Sequence, residues 1–235
     1  MSETTLLGLD AAKLGAAVRA AALVESGMLV GLGTGSTTAF AIEELGRRIR
    51  EEGLDILATP TSDSASILAR RHGVPVRSLD ELGILDIALD GADEVDPRLD
   101  LIKGRGAAHT REKVVASDAS RFVVLVDESK MVDRLGDRMP VPIEVVPMAA
   151  ASVSRRVQAL GGLAEIREGV RKDGPVVTDQ GFWIIDATFD SITDPAELDR
   201  ALHSMPGVLE HGLFIGLATD VFVGAADGSV RHLTR

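Results

Sequence analysis

Glycine and hydroxyl side chains alternate in the segment Gly33–Thr37, which follows a short apolar run. Where a parallel strand ends and a helix begins, unpaired backbone N–H groups and the helix dipole favour an anion such as phosphate. Gly33 and Gly35 let the backbone approach a ligand closely. Three hydroxyl side chains add donors: Thr34, Ser36 and Thr37. The segment is neither a Walker loop nor a complete dinucleotide motif, since Thr38 replaces the third glycine. The alternative that this segment is a tight turn with a serine cap and no ligand therefore remains.

Four acidic residues stand within the seven-residue segment "DGADEVD", Asp90–Asp96. It follows the apolar run "LDIAL", so Asp90 and Asp93 are predicted at the carboxyl end of a strand, which is the ligand edge of an open α/β sheet. Carboxylates held together in this way suit proton transfer near neutral pH. A solvated acidic turn and a Mg²⁺ site are the alternatives, while the spacing does not match a calcium-binding loop.

Two of only five lysines lie in positions that suit chemistry. Lys103 opens the segment "KGRGAAHTREK", in which Gly104 and Gly106 predict backbone bent close to a ligand. Glu112 falls in the early part of the helix that follows, although a single glutamate is usually a surface residue. Lys130 comes just after the apolar strand "RFVVLV", again at a carboxyl end, with a surface lysine as the alternative. His109 receives no catalytic role.

The elements that must position these residues follow from apolar periodicity. Short apolar runs alternate with helical spacing in the first half of the chain, which is typical of a parallel sheet covered on both faces. The predicted strands are 28–32, 54–60, 85–90 and 121–127, and the predicted helices are 9–26, 36–53, 62–73 and 106–118. Gly27 is the expected stop of the first helix, and Ser62 is a predicted N-cap. The four chemical segments then share one sheet edge.

The second half of the chain has a different order of predicted strands and helices. Strand, helix, two strands, helix and strand follow between residues 141 and 216, which is the order of a ferredoxin-like unit. The tail, residues 219–234, predicts a hairpin about Asp227 and Gly228 that returns to the first sheet. The predicted organisation is an α/β parallel-sheet domain, 1–135 plus 212–235, with an inserted α+β ferredoxin-like domain, 136–211.

Composition narrows the function classes. A net charge of −11 argues against nucleic-acid binding, and there is no cysteine for a disulfide or a thiolate site. Neither a membrane-spanning run nor a signal peptide is evident, so a cytoplasmic location is expected. No histidine cluster with metal-ligand spacing and no Ser-His-Asp arrangement stands out. The candidate residues comprise a phosphate-binding loop, carboxylates, two lysines and a glutamate. This combination is suited to proton transfer within a small phosphorylated substrate.

In this order and spacing, "GLGTGST", "DGADEVD", "KGRGAAHTREK" and the Ser129-Lys130 pair closely resemble the signature segments of the type A ribose-5-phosphate isomerases. "VPIEVVPMA" and "GVLEHGLF" are similar to further family segments, so the resemblance covers essentially the whole chain. It implies a Rossmann-like catalytic domain with a ferredoxin-like lid and oligomerisation domain. It also implies an enzyme that interconverts ribose 5-phosphate and ribulose 5-phosphate without a cofactor or metal. It also implies a homodimer or homotetramer.

The resemblance implies roles for individual residues. Glu112 is the expected base, which moves a proton between C2 and C1 through a cis-enediolate, and Lys103 stabilises the oxyanion. Asp90 assists opening of the furanose ring, and Asp93 positions hydroxyl groups or shares that proton traffic. The implied substrate-binding residues are Thr34, Gly35, Ser36, Thr37, Gly91, Ala92, Gly104, Arg105, Gly106 and Lys130. Arg105 departs from the Lys-Gly-Gly-Gly of many members, so its side chain either points to solvent or adds positive charge.

Other functions of the same fold remain alternatives. A coenzyme A transferase would use Glu112 as a nucleophile but would leave Asp90 and Asp93 unexplained. A sugar-phosphate-sensing domain would bind without turnover, and a hexosamine-phosphate deaminase has different motifs. A metal-dependent hydrolase built on the acidic segment would lose its activity on chelation.

Overall fold

A computed structural model describes residues 3–235 of the chain, with side chains from Gly8 onward. It divides into two compact units. The first unit contains the described residues through Ala92, with Arg111–Met131 and Leu217–Arg235, and the second contains Asp93–Thr110 and Val132–Gly216. Within the described residues, no helix combines the length and apolar character needed to cross a membrane.

Helices and strands alternate through the first unit. The helices of the chain are α1 (Glu3–Ala21), α2 (Ser36–Glu52), α3 (Asp63–Arg71), α4 (Leu79–Leu82), α5 (His109–Ser117), α6 (Ala150–Ala159) and α7 (Pro195–His203). The strands are β1 (Leu29–Leu32), β2 (Leu57–Pro60), β3 (Ile87–Gly91), β4 (Glu94–Val95), β5 (Leu101–Ile102), β6 (Phe122–Asp127), β7 (Val141–Val145), β8 (Gly162–Ile166), β9 (Trp183–Phe189), β10 (Val208–His211), β11 (Leu213–Phe214), β12 (Asp220–Gly224) and β13 (Val230–Thr234). Short 3₁₀ turns span Glu128–Lys130 and Pro147–Ala149.

The first unit is built on a six-stranded sheet in the order β13-β12-β6-β3-β1-β2. All neighbours are parallel except β13, which forms the expected antiparallel hairpin with β12. The strand order reverses at β1, because α2 leads outward to β2 and the chain then crosses back to β3. Ligands of open α/β sheets bind outside the carboxyl ends of the strands at such a reversal.

Apolar spacing along the helices explains how they cover this sheet. In α2 the side chains of Ala41, Ile42 and Leu45 are buried, and they lie on one face because Ala41 and Ile42 are four and three residues before Leu45. Small residues allow α1 to approach the sheet closely. A Cβ atom on Gly224 would lie 1.9 Å from the carbonyl oxygen of Ala12, so β12 accepts the helix only through glycine at that position.

The second unit confirms the ferredoxin-like unit predicted from the sequence. Its four-stranded antiparallel sheet has the order β10-β7-β9-β8, which is the pairing of a split βαβ with α6 and α7 as its two helices. A separate core holds it together, with Val141, Ile143 and Ile185 fully buried. A smaller sheet pairs β4, β5 and β11.

Most predicted elements differ from the observed ones by a few residues at an end, and two differ for reasons that local hydrogen bonds show. The first helix ends at Ala21 rather than at Ser26, because the Leu23 and Val24 amides turn back tightly to Ala20 and Ala21. The apolar run predicted as one strand, 207–216, is wrong as a single element. It breaks into β10 and β11 at Gly212, whose amide donates to Pro142 and whose carbonyl accepts from Lys103.

The segment 93–110 lies in the second unit, because β4 and β5 pair with β11 there. This division into compact units differs from the domain boundaries that the sequence predicts, 1–135 plus 212–235 and 136–211. Those boundaries stay a prediction.

Candidate active site

Strand register places Gly33 beside Asp90 in the first unit. Leu32 of β1 pairs with Leu89 of β3, and the Gly33 amide continues the ladder by donating to the Leu89 carbonyl at 2.9 Å. A Cβ atom on Gly33 would lie only 2.0 Å from Oδ1 of Asp90. Glycine is therefore required here by the space that the Asp90 carboxylate occupies.

The Asp90 carboxylate is 2 % exposed and joins two loops. Its Oδ1 accepts from the Thr34 amide at 3.1 Å and from the Gly91 amide at 2.7 Å. Hydrogen bonds from backbone amides favour the ionised form of a carboxyl group. They also fix the carboxylate plane at the point where the strand order reverses.

The loop after β1 is held through Thr34 rather than through a serine cap. Gly35 is the N-cap of α2, with φ of 127°, and makes no side-chain cap bond. The Thr34 hydroxyl donates to the Ser62 hydroxyl at 2.7 Å and lies 2.9 Å from that of Thr61. Ser62 in turn caps α3 by accepting from the Ala65 amide, as predicted. The Thr34 hydroxyl therefore forms hydrogen bonds within the protein, and nothing in the sequence indicates these two partners.

The first turn of α2 offers donors to an anion. Ser36 is exposed and Thr37 is half-buried. Among the described residues, no backbone carbonyl or side chain accepts from the amides of Ser36 and Thr37. Such amides at a helix N-terminus, with the helix dipole behind them, are suited to phosphate. A cavity of about 180 Å³ lies alongside, lined by the loop together with α2 and α3.

Helix α5 brings Glu112 to the same sheet. A Cβ atom on Gly31 of β1 would lie 2.5 Å from the Val115 side chain, so α5 packs directly over that strand. Glu112 is three residues before Val115 and hence on the same face of the helix. Arg111 donates to Asp63 of α3 at 3.0 Å, which holds the first turn of α5 at the carboxyl edge. Glu112 is only 5 % exposed, against the usual expectation for a glutamate.

Lys130 also lies at this edge. The strand β6, which is next to β3, ends at Asp127, and the carboxylate of Asp127 caps the following 3₁₀ turn by accepting from the Ser129 amide at 2.9 Å. Lys130 ends that turn and is half-buried. Among the side chains that the structure describes, no carboxylate forms an ion pair with it.

The acidic segment divides into two kinds of carboxylate. Glu94 is buried and accepts from the amides of Gly136, Arg138 and Met139 at 2.6 to 2.8 Å. Asp96 closes a turn by accepting from the amides of Arg98 and Asp100. The interpretation as a solvated acidic turn is therefore wrong for these two residues, because both are buried and hold backbone.

The second candidate loop belongs to the second unit. The prediction that all four segments share one sheet edge is therefore wrong for this loop, because it follows β5, which pairs with β4 and β11 and not with the six-stranded sheet. The Lys103 amide donates to the Gly212 carbonyl at 2.9 Å, and its Nζ lies 5.5 Å from the centre of the Phe214 ring. Lys103 is 3 % exposed. Asp93 accepts from the Arg105 amide at 2.9 Å, so this carboxylate is joined to the loop. The Arg105 side chain is exposed to solvent.

Arg167 holds this loop, and the sequence contains no signal for it. Its guanidinium donates to the carbonyls of Gly104 and Arg105 at 3.0 Å each. The same guanidinium forms a two-point pair with Asp186 of β9. A planar guanidinium suits this double duty because its donors are fixed in a fork. The loop is thus fastened by a residue that directly follows β8 and is paired with β9.

Within each unit, the predicted residues come together. The first unit gathers Thr34, Gly35, Ser36, Thr37, Asp90, Gly91, Ala92, Glu112 and Lys130 on segments at one sheet edge. The second unit gathers Asp93, Lys103, Gly104, Arg105 and Gly106 around one loop. His109, which was given no role, is fully buried, and a Cβ atom on Gly104 would lie 2.6 Å from its ring.

Comparison with known proteins identifies the family. A sequence model of the family ribose 5-phosphate isomerase A (phosphoriboisomerase A) matches residues 57–228. The chain belongs to this family. The ribose-5-phosphate isomerase A of Thermosynechococcus vestitus is 58% identical over 206 residues, which are 87% of each chain. That of Methanothermobacter thermautotrophicus is 51% identical over 213 residues, covering 91% of this chain and 93% of the relative.

Solved structures of the family share the fold. Ribose 5-phosphate isomerase A from Methanocaldococcus jannaschii superposes with a TM-score of 0.91 at 49% identity, over 95% of this chain and 98% of that one. A D-ribose-5-phosphate isomerase in complex with phospho-erythronic acid superposes with a TM-score of 0.93 at 48% identity, over 95% and 97%. The likeness covers both the Rossmann-like and the ferredoxin-like parts predicted from the sequence.

Proposed function

We propose that this chain interconverts D-ribose 5-phosphate and D-ribulose 5-phosphate, with Glu112 as the base that moves the proton. The observation that carries the proposal is the Glu112 carboxylate, which is 5 % exposed on the first turn of α5, on the face that packs over β1. A buried carboxylate at the ligand edge of a sheet is unusual unless it has a task there. Membership of the isomerase family supports the same role.

The reaction needs an open sugar chain before the proton moves. Asp90 is the proposed group that assists ring opening, because its carboxylate is buried and fixed by two backbone amides. Glu112 then removes the proton from C2 of the aldose, which leaves a cis-enediolate, and returns it to C1 to give the ketose. One carboxylate suffices for both steps because the two carbons are neighbours, and a hydroxyl proton passes from O2 to O1 to complete the ketose.

Negative charge develops on the substrate oxygen during this transfer. Lys103 is the proposed stabiliser, since its ammonium group is largely shielded from water and lies over the Phe214 ring. A cation in such surroundings acts on an oxyanion far more strongly than one in water. Asp93 joins the loop that contains Lys103 and is proposed to position substrate hydroxyls.

The phosphate of the substrate needs donors of its own. We assign it to the first turn of α2, where Ser36 and Thr37 offer amides and hydroxyls, together with Lys130. The loops at Gly91, Ala92 and Gly104–Gly106 complete the proposed substrate contacts. Phospho-erythronic acid, bound by the relative, is a phosphorylated sugar acid whose carboxylate is similar in shape and charge to the end of an enediolate. This supports an enediolate intermediate for the present chain.

The decisive experiment measures formation of ribulose 5-phosphate from ribose 5-phosphate by purified protein in excess EDTA. Wild-type protein should turn over, and Glu112→Gln should lose turnover while it still binds a competitive phosphorylated sugar acid. In deuterated water, the wild-type product should acquire deuterium at C1, because the proton on a carboxylate exchanges with solvent. Glu43→Gln, an exposed change of the same kind on α2, is the matched control.

Full turnover by Glu112→Gln would remove Glu112 from the role of base. A folded wild-type protein without turnover would overturn the isomerase proposal itself, and acyl transfer from coenzyme A to Glu112 would be measured next. A cytoplasmic location and a homodimer or homotetramer are proposed on the family resemblance alone, and molar mass in solution would test the second.

A further inference from the structure

The second unit contains a group of side chains with the chemistry of metal ligands. Asp199 and His203 are one turn apart on α7, and His211 ends β10. Their ligand atoms lie within 4.8 Å of one another. The sequence predicts no histidine cluster. This prediction is wrong, because α7 packs against β10 and brings the three side chains together. None of the three residues belongs to the proposed isomerase site.

The separations of the three ligand atoms match a tetrahedral ion. Nδ1 of His203 lies 2.9 Å from Nε2 of His211, and Oδ1 of Asp199 lies 3.7 Å and 3.6 Å from these two nitrogens. Bonds of about 2.0 to 2.1 Å to a tetrahedral zinc ion place neighbouring ligand atoms roughly 3.3 to 3.4 Å apart. Shifts of a few tenths of an ångström would therefore bring all three atoms to bonding distance.

Glu210 supplies the support that such ligands usually have. Its carboxylate lies 3.0 Å from Nε2 of His203, on the far side of the ring from the ligand nitrogen. Histidine ligands commonly donate their second N–H to a carboxylate, which fixes the tautomer and the ring orientation. His211 is fully buried, whereas the His203 side chain is 43% exposed, so an ion could enter from solvent.

We propose that Asp199, His203 and His211 bind a divalent transition-metal ion, with zinc as the best match, that staples α7 to the end of β10. Two imidazoles and one carboxylate favour zinc, cobalt or nickel over magnesium or calcium, which prefer oxygen ligands alone. The fourth position is left for water. The ion is structural and takes no part in isomerisation.

Binding of a metal ion must break one hydrogen bond of His211. The Leu213 amide donates to Nδ1 of His211 at 3.3 Å, so in the metal-free protein Nε2 of His211 holds the proton, with Nδ1 of His203 at 2.9 Å and the Asp199 carbonyl oxygen at 3.2 Å as its neighbours. An ion on Nε2 requires the proton to move to Nδ1, and this long hydrogen bond is then lost. Nε2 of His203 faces Glu210, and its Nδ1 lies 3.1 Å from the Asp199 carbonyl oxygen, a contact that an ion would also replace.

The test uses untagged, chelator-treated protein titrated with zinc alone. Calorimetry should show one ion per chain, and cobalt should produce the visible absorption of a tetrahedral site. At free zinc 100-fold above the dissociation constant, the Tm should rise by about 5 to 10 °C. His203→Gln and Asp199→Asn should weaken binding by at least about 100-fold, and Glu210→Gln by about 10- to 100-fold.

His72→Gln is the matched control, since His72 ends α3 in the first unit, and it should bind zinc like the wild type. His211→Gln is avoided because the residue is fully buried. Equal binding by wild type and His203→Gln, or no zinc-dependent rise in Tm, would overturn the proposal and leave the two histidines as a hydrogen-bonded pair. Turnover in EDTA is measured on the same samples, so failure of this proposal is distinguishable from failure of the isomerase assignment.

Discussion

The two candidate loops use glycine in the same way but are held by different means. The loop Gly33–Thr37 is fixed by neighbours on its own sheet edge, namely the Asp90 carboxylate and the hydroxyls of Thr61 and Ser62. The loop Lys103–Ala107 is fixed by Asp93 and by Arg167, which directly follows β8 some sixty residues later. The first depends on strand register, and the second depends on one long side chain.

This difference has a consequence for robustness. Register is maintained by a whole ladder of hydrogen bonds and buried side chains, so the first loop fails only if something is forced into it. The second loop has its carbonyls fastened by a single guanidinium, so loss of that group frees it while the surrounding sheets persist. The following substitutions alter the contacts that hold each loop and so test how strongly the loop depends on them.

Gly33→Ala should have the largest effect. The new Cβ would lie 2.0 Å from Oδ1 of Asp90, so the carboxylate or the loop must move. We expect kcat/KM to fall by on the order of 10²-fold or more, because displacement of a positioned group by about 1 Å has that effect. Overpacking should also cost about 1 to 3 kcal/mol of unfolding free energy, measured by denaturant titration.

Gly91→Ala is the stability control for that change. A Cβ there meets nothing closer than 3.8 Å, and its Tm should stay near that of the wild type. If Gly33→Ala retained wild-type kcat/KM, the proposed role of the Gly33–Asp90 contact would be wrong.

Arg167→Met should have an intermediate effect on turnover, with some loss of stability because the pair with Asp186 is also removed. It keeps the length of the side chain but removes the donors to Gly104 and Arg105. We expect kcat to fall by about 10- to 100-fold with a smaller change in KM, because the loop carries Lys103, which acts on the transition state. Arg167→Lys should recover part of this loss.

Arg155→Met on α6 provides the comparison, since Arg155 is exposed and far from the loop in sequence. Steady-state kinetics of the three variants with ribose 5-phosphate would decide the question. Equal kcat for Arg167→Met and Arg155→Met would show that the loop keeps its shape without the guanidinium.

Asp220→Asn should have the smallest effect on turnover and act on stability instead. Asp220 begins β12, at the amino edge of the first sheet, opposite to the proposed site. The side-chain hydrogen bonds from Arg121, together with Thr219 and His232, hold the pKa of Asp220 well below its ordinary value of 3.8, against the opposing effect of burial. Because the folded-state pKa is lowered, the stabilisation is present above about pH 3.8 and is lost as the pH falls further.

The measurement is the free energy of unfolding of wild type and Asp220→Asn between pH 2 and pH 7. At neutral pH the variant should lose about 1.5 to 3 kcal/mol, as expected for hydrogen bonds to a charged group. In acid the difference should shrink, while kcat at neutral pH stays unchanged. A difference that is constant with pH would show that the Asp220 charge does not contribute.

Local signals in the sequence were sufficient for much of this protein. The alternation of apolar strands with amphipathic helices predicted the parallel sheet, and the later order of elements predicted the ferredoxin-like unit, because periodicity is a local property of the chain. The Ser62 cap and the hairpin at Asp227 and Gly228 were predicted for the same reason. Placement of Asp90, Glu112 and Lys130 at one edge followed from the rule that parallel strands end together.

Only the tertiary structure decided how side chains from distant segments meet. Arg167 on the Lys103 loop, Ser62 on Thr34, and His211 beside Asp199 and His203 join residues with no shared motif or spacing. The same holds for Gly212, where an apolar run divides between two sheets because the backbone of Lys103 lies too close for any side chain. The sequence by itself determined the elements and the edge at which the chemistry lies. Which residues hold that chemistry in place depended on packing between segments, which leaves no local pattern in the chain.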